Sequence, residues 1–223
     1  MRNYGDEKVL VVPTSFIPHR EGVLRRNVHN ILEKIAENAV FMLRNQVEGN
    51  PAQKQIIPYC TFIHIDDTGT KRIFYAQRST TADRELGGKW TIGLGGHINP
   101  EDQFPRQISK YLIQFKNLSL NDQFWRIVLA GAERELDEEL QFSWEKVLEI
   151  KFGGLVFTAR DLVSKDHLGI WLLLKMADRE VKIKRELVRG GFFTDFEFVI
   201  FSEWHDFLLS IHTPEQRKAF GFK

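Results

Sequence analysis

Apolar residues along the chain fall into short runs and into three-and-four spacings, and these two patterns divide it into strands and helices. Lys8 to Pro13 is rich in valine and closed by proline, which predicts a short buried strand. Leu24, Val28, Ile31, Ile35, Ala39 and Leu43 then recur as one stripe, predicting a helix over Leu24 to Val47 that Gly49-Asn50-Pro51 stops. Ile56 to Ile65 and Arg72 to Gln77 read as paired strands joined across Asp66-Asp67-Thr68-Gly69-Thr70. Trp90 to Ile98 reads as another strand, and Gly93, Gly95 and Gly96 within it point to a close backbone approach. From Asp102 to Leu140 the pattern is helical in two pieces. Ile108, Leu112 and Phe115 form a short stripe, and Phe124, Val128, Ala132, Leu136 and Leu140 form a longer one, with Asn121 or Asp122 as its N-cap. Val147 to Phe157 and His167 to Met176 read as strands, and Phe198 to Leu209 as a closing helix.

Strands alternating with helices predict one α/β domain. Its expected division is an N-terminal extension, residues 1–54, packed on a domain of residues 55–223. No internal repeat or low-complexity linker interrupts it. The 223 residues carry 43% hydrophobic and 27% charged side chains, enough for a packed core. Lys and Arg total 31 against 30 Asp and Glu, a net charge of +1 that argues against broad electrostatic binding of nucleic acid. Cys60 stands alone, so no internal disulfide forms and a reducing compartment is expected. The polar start and strand-length apolar runs predict neither an export signal nor a membrane span, and hence a cytoplasmic location.

The chemistry concentrates in Glu133-Arg134-Glu135-Leu136-Asp137-Glu138-Glu139-Leu140. On a helix Glu135, Glu138 and Glu139 stand at i, i+3 and i+4, so three carboxylates share one face. Like charges at that spacing repel, and a divalent cation would turn the repulsion into ligation. Hard oxygens completed by waters and substrate phosphates suit Mg²⁺. Arg134 can pair with Glu138 one turn on. The competing reading is a solvated acidic face on an ordinary amphipathic helix. Other nucleotide and hydrolase signatures are absent. Gly87-Gly88-Lys89-Trp90 lacks the parts of a P-loop, Gly93-Leu94-Gly95-Gly96 does not complete G-x-G-x-x-G, no G-x-S-x-G occurs, and the histidines show no zinc spacing.

Arg134-Glu135-Leu136-Asp137-Glu138-Glu139 resembles the core of the Nudix box, G-x5-E-x7-R-E-U-x-E-E-x-G-U, at every fixed position, with Phe142 at the final bulky place. Upstream, Gly95-Gly96-His97-Ile98-Asn99-Pro100-Glu101-Asp102 resembles its glycine-rich opening, with Gly96 as the first glycine and Asp102 where the family has glutamate. Three features depart from the motif. An insertion of 24 residues, about 103–126, separates the two halves; Asp102 is one methylene short; and Gln141 replaces a glycine. The run Trp90 to Ile98 is also similar to that of Nudix phosphoesterases whose box is interrupted.

The resemblance implies an α/β/α sandwich with a mixed sheet, and a hydrolase that uses Mg²⁺ or Mn²⁺ to cleave a diphosphate linkage in a nucleoside diphosphate derivative or related organic pyrophosphate. It implies metal ligation by Glu135, Glu138, Glu139 and the Gly96 carbonyl. One of the glutamates, or a later carboxylate such as Glu197 or Glu203, would be the base, and Arg134 an orienting group. Arg72, Tyr75, Arg78, Arg84, Lys89, Trp90 and His97 are candidates for contact with a small-molecule phosphate substrate, against ordinary surface or packing roles. A non-catalytic Nudix-fold domain that binds a nucleotide is the alternative. The insertion is expected to form a helix beside the site, with Phe104, Ile108, Tyr111, Leu112 and Phe115 lining a pocket or packing. The N-terminal fifty residues either cap the domain or make a homodimer contact.

Overall fold

The computed structural model describes residues 4–18, 22–80, 87–88, 90–115, 121–157, 164–184 and 187–194. In chain order its strands and α-helices are β1 (Lys8–Pro13), β2 (Gly22–Leu24), α1 (His29–Asn38), β3 (Val40–Leu43), α2 (Arg44–Val47), β4 (Gln53–Ile65), β5 (Lys71–Arg78), β6 (Trp90–Thr91), α3 (Asp122–Glu139), β7 (Leu140–Gln141), β8 (Val147–Phe157), β9 (His167–Met176), β10 (Lys182–Ile183) and β11 (Leu187–Thr194).

The centre of the fold is the parallel pairing of β4 with β9, in register from Gln55 opposite His167 to His64 opposite Met176. Both strands are nearly continuous apolar runs, as strands buried on two faces must be. Antiparallel neighbours extend this pair into the order β11-β5-β4-β9-β8-β2, giving a large mixed sheet, with β6 on β5. β1 pairs with both β4 and β3, so the N-terminal strand is part of the same sheet. Helix α3 lays Phe124, Trp125, Val128, Leu129, Ala132 and Leu136 into the core. Asn121 caps it as expected, its Oδ1 accepting from the Phe124 N–H at 2.9 Å. Phe142 packs its ring edge-on to Phe62 and Trp144, so the aromatic serves where the motif has an aliphatic.

Two expectations need correction. The helix expected over Leu24 to Val47 is broken into β2, α1, β3 and α2. Asn27 turns the chain with φ of 56°, and Ala39 is extended, so Val40–Leu43 leaves the helix to pair with β1. A partner strand outweighs helical spacing for such a β-branched and aromatic stretch. The strand expected over Trp90 to Ile98 pairs with β5 only at Trp90 and Thr91; beyond it Leu94 bridges to Cys60 across the sheet.

Among the described residues of the insertion, Ser109–Phe115 forms a seven-residue 3-10 helix. Its Ile108, Tyr111 and Phe115 are core residues: Phe115 stacks on Trp125 at 4.7 Å and the Tyr111 hydroxyl donates to the Val147 carbonyl. Leu112 packs against the same core, whereas Phe104 is 73% exposed. Glu133 fastens the insertion to α3, its carboxylate accepting the backbone N–H of Arg106 at 2.7 Å and of Gln107 at 2.9 Å. Charge-assisted bonds of this kind, here part-buried, are worth about 1.5 kcal/mol each. Glu133→Gln, which can satisfy only one of the two, is therefore expected to lower the melting temperature by a few degrees. Amide hydrogen exchange should quicken at Arg106 and Gln107 before it does elsewhere in the core.

Among the described residues no helix is long and apolar enough to cross a membrane. The closing helix expected over Phe198 to Leu209 lies outside the described residues.

Candidate active site

The last two turns of α3 and the glycine loop before the insertion meet side by side. The loop leaves β6, runs beside β4 with Leu94 and Cys60 exchanging backbone hydrogen bonds at 2.8 and 2.9 Å, and passes under the carboxylates. This close approach to β4 demands a bare backbone: a Cβ on Gly95 would stand 1.9 Å from the Pro58 carbonyl oxygen, and its φ of +153° is one that side-chain-bearing residues rarely adopt. The next residue meets α3. A Cβ on Gly96 would lie 2.5 Å from the carboxyl carbon of Glu135, so the glutamate head rests on the glycine backbone itself. The close approach expected from the glycines is present at both positions.

Arg134 joins the two segments across the insertion. Its Nε and Nη2 donate to Asp102 Oδ1 and Oδ2 at 2.9 and 3.0 Å, a two-point pairing. Nη2 also donates to the His97 carbonyl at 2.7 Å and to Asn99 Oδ1 at 3.0 Å. Nη1 faces the other way and reaches Glu135 Oε1 at 2.8 Å and Glu138 Oε1 at 3.3 Å. Burial alone would lower the pKa of this guanidinium; hydrogen bonding and charge from Asp102 and Glu135 outweigh it and hold the group above its ordinary value. The shorter Asp102 thus reaches Arg134 without the missing methylene, and it also accepts the Asn99 N–H at 2.8 Å.

The three glutamates sit in different surroundings. Glu135 is 17% exposed, and burial raises its carboxyl above the usual glutamate range against the opposing pull of Arg134. Glu138, 61% exposed, faces solvent. Glu139 is 8% exposed and lies 3.6 Å from Arg78 Nη1. Among the described residues no three histidine, cysteine, aspartate or glutamate side chains are gathered as a ready metal cage. Arg134 stands between Glu135 and Glu138 instead. Cys60 lies beneath them; burial, with the charges of Glu139 and Glu135, pushes its thiol far up and keeps it an inert core group.

Of the substrate candidates, Arg78 reaches the site through Glu139, and His97 through its carbonyl. The His97 ring turns toward His167, at 5.4 Å, and burial with the nearby charges of Arg44, His167 and Arg134 holds it neutral. Arg72 is at the hairpin end of β5, beside Asp66, about 20 Å from Arg78 along the strand. Tyr75 alternates to the face opposite Arg78, its hydroxyl donating to the Thr194 carbonyl. Trp90 is half-buried in β6 opposite Gln77. Lys89, Arg84, Glu197 and Glu203 lie outside the described residues.

The far end of the carboxylate helix is held by residues distant in sequence. Leu140 is extended, and Gln141 enters β7 opposite Lys182, so no left-handed residue follows α3 and no glycine is required there. Lys184 binds the exposed carbonyls of the last turn, its N–H donating to Glu139 O at 2.7 Å and its Nζ to Asp137 O at 2.6 Å.

This arrangement can be set beside known proteins. No family model matches the chain. Over 192 residues it is 27% identical to protein YmaB of Bacillus subtilis (strain 168), spanning 82% of this chain and 83% of that protein. The crystal structure of Tm1382, provisionally classed as a Nudix hydrolase, is similar with a TM-score of 0.61 and 21% identity, covering 96% of this chain and 97% of that one. The chain has the Nudix fold. On this Nudix scaffold the insertion does not separate the two halves of the box-like sequence, because Arg134 is hydrogen-bonded to His97, Asn99 and Asp102. Signals for Asp102 and Arg134 were available in the box-like spacing. Nothing in the sequence marked Asn99, Glu133 or Lys184, each of which acts through a backbone group far along the chain.

Proposed function

We propose that the protein is a divalent-metal-dependent hydrolase of diphosphate linkages in nucleoside diphosphate derivatives or related organic pyrophosphates. The observation that carries this reading is the seat of the Glu135 carboxyl on the bare Gly96 backbone, beside Glu138 and braced by Arg134. A buried carboxylate pressed against a glycine, with further carboxylates one turn away, is a donor set of hard oxygens suited to Mg²⁺ or Mn²⁺. Glu135, Glu138, Glu139 and the Gly96 carbonyl would hold the ion, whose charge would offset that of the diphosphate oxygens and favour attack by water.

The chain's own groups have distinct tasks in this reading. Arg134 keeps Glu135 and Glu138 oriented while Asp102 keeps Arg134 charged. Glu138 is the carboxylate free to turn toward solvent, and Glu135 and Glu138 are the candidates to receive the proton of the attacking water. Arg78, drawn to Glu139, places a guanidinium where substrate phosphates would lie. Two departures from the motif are compatible with this reading: Asp102 reaches Arg134, and Gln141 occupies a position with no need of glycine.

The test is a screen of nucleoside diphosphate derivatives with Mg²⁺ and with Mn²⁺, reading phosphate and nucleoside monophosphate together. Turnover is expected for the wild type, with Glu138→Gln combined with Glu139→Gln losing on the order of a thousandfold or more at an unchanged melting temperature. Absence of wild-type turnover across the panel, or full activity in the double variant, would overturn the proposal.

A further inference from the structure

Asn99 is engaged from three directions. Its N–H donates to Asp102 Oδ2 at 2.8 Å, its Oδ1 accepts from Arg134 Nη2 at 3.0 Å, and its Nδ2 donates to the Lys8 carbonyl at 3.0 Å. The last bond leaves the site altogether and ends on β1. One residue along the loop, the Ile98 carbonyl accepts the Leu10 N–H at 2.9 Å, so β1 grips this loop twice. β1 is not a loose arm. It is paired with β4 from Val11 opposite Gln55 to Pro13 opposite Gln53, and with β3 from Lys8 opposite Leu43. A rigid strand therefore ends in a side-chain amide whose other end touches the guanidinium between two candidate metal-binding glutamates.

We propose that Asn99 is a positioning residue through which the N-terminal strand fixes the plane of Arg134, and with it Glu135 and Glu138; its kinetic consequence rests on the hydrolase reading above. An amide is the group this place requires. The Lys8 carbonyl needs a donor and the Arg134 N–H needs an acceptor, and one asparagine supplies both at fixed separation. The Asp102 pair secures one edge of the guanidinium, but the loop carrying His97 and Asn99 must also stay put for the opposite Nη1 edge to face both glutamates. Loss of the Asn99 side chain removes a direct bond and half of the grip of β1 on the loop in a single step. Second-layer contacts of this kind commonly change metal affinity or turnover by ten- to a hundredfold.

The experiment compares Asn99→Ala with the wild-type full chain in two readouts. The first needs neither metal nor substrate: the Arg134 guanidinium is followed by ¹⁵N–¹H NMR, where hindered rotation keeps its Nη protons resolved. Those signals are expected to merge in Asn99→Ala at a temperature where the wild type still shows them apart. Asn99→Asp keeps an acceptor for Arg134 but has no donor for the Lys8 carbonyl, so its signals are expected to merge at a temperature between those of the wild type and Asn99→Ala. The second readout is turnover, where kcat should fall about tenfold and apparent Mn²⁺ affinity by a similar factor, with KM changed less than about threefold. Resolved Arg134 signals in Asn99→Ala would overturn the inference, as would unchanged kcat and Mn²⁺ affinity in an active enzyme. A wild type without turnover or Mn²⁺ binding would overturn the hydrolase reading while the NMR comparison still decides the role of Asn99. If Asn99→Ala does not fold, Asn99→Ser, too short to span both partners, carries the same expectations.

Discussion

Gly96→Ala is expected to lose about a hundredfold or more in metal-dependent turnover while the protein stays folded. The added methyl carbon would arrive 2.5 Å from the Glu135 carboxyl carbon and 2.5–2.6 Å from its two oxygens, well inside contact distance. What it meets is the end of a flexible side chain, so the conflict is relieved by swinging the carboxylate away. That swing costs little in stability. It also breaks the 2.8 Å bond from Arg134 and moves a carboxylate head by an ångström or more at the point where the ion would sit. Thermal unfolding should therefore shift by only a few degrees as activity and Mn²⁺-induced stabilisation disappear together. Retention of wild-type turnover by Gly96→Ala would mean that Glu135 does not need its present seat, and the proposed ligand set would be wrong.

The sequence was most readable where one strand or helix determines its own contacts. The apolar stripe of α3 is buried and its Asn121 cap is formed as expected, and β4, β8 and β9 occupy the long runs read as strands. It was least readable where a distant partner decides. Val40–Leu43 continues a helical stripe and yet pairs with β1, and Leu94 quits its strand to bridge Cys60. The site divides along the same line. Gly96, Arg134 and the glutamates share one recognisable spacing, and the structure brings Gly96, Arg134 and Glu135 into contact. Asn99, Glu133 and Lys184 contribute through backbone carbonyls or N–H groups, which every residue possesses, so no residue type at Lys8, Arg106 or Asp137 could have announced them. Arg72 shows the converse: its charge and proximity in sequence suggested phosphate contact, but strand geometry carries it to the hairpin end beside Asp66.

Gly95→Ala, one residue earlier in the same loop, is expected to fail in the opposite manner, through stability. Here the new methyl carbon would stand 1.9 Å from the Pro58 carbonyl oxygen and 3.1 Å from its carbonyl carbon, and neither belongs to a movable side chain. Pro58 lies within β4, pinned opposite Ile170 in the central parallel pair, so yielding there means disturbing the middle of the sheet. The φ of +153° adds backbone strain of about 1–3 kcal/mol for any residue bearing a Cβ. With overpacking of a further 1–3 kcal/mol, the total is about 2–6 kcal/mol, a large part of the stability of an ordinary domain. For a chain of this size that corresponds to a fall in melting temperature on the order of 10 °C, read by calorimetry or circular dichroism. The two alanine variants thus separate the roles of adjacent glycines: one lets the loop lie against β4, the other lets a carboxylate rest on the backbone. A Gly95→Ala protein as stable as the wild type would show that the loop does not lie against β4 in contact with Pro58, and the placement of Gly96 beneath Glu135 would fall with it.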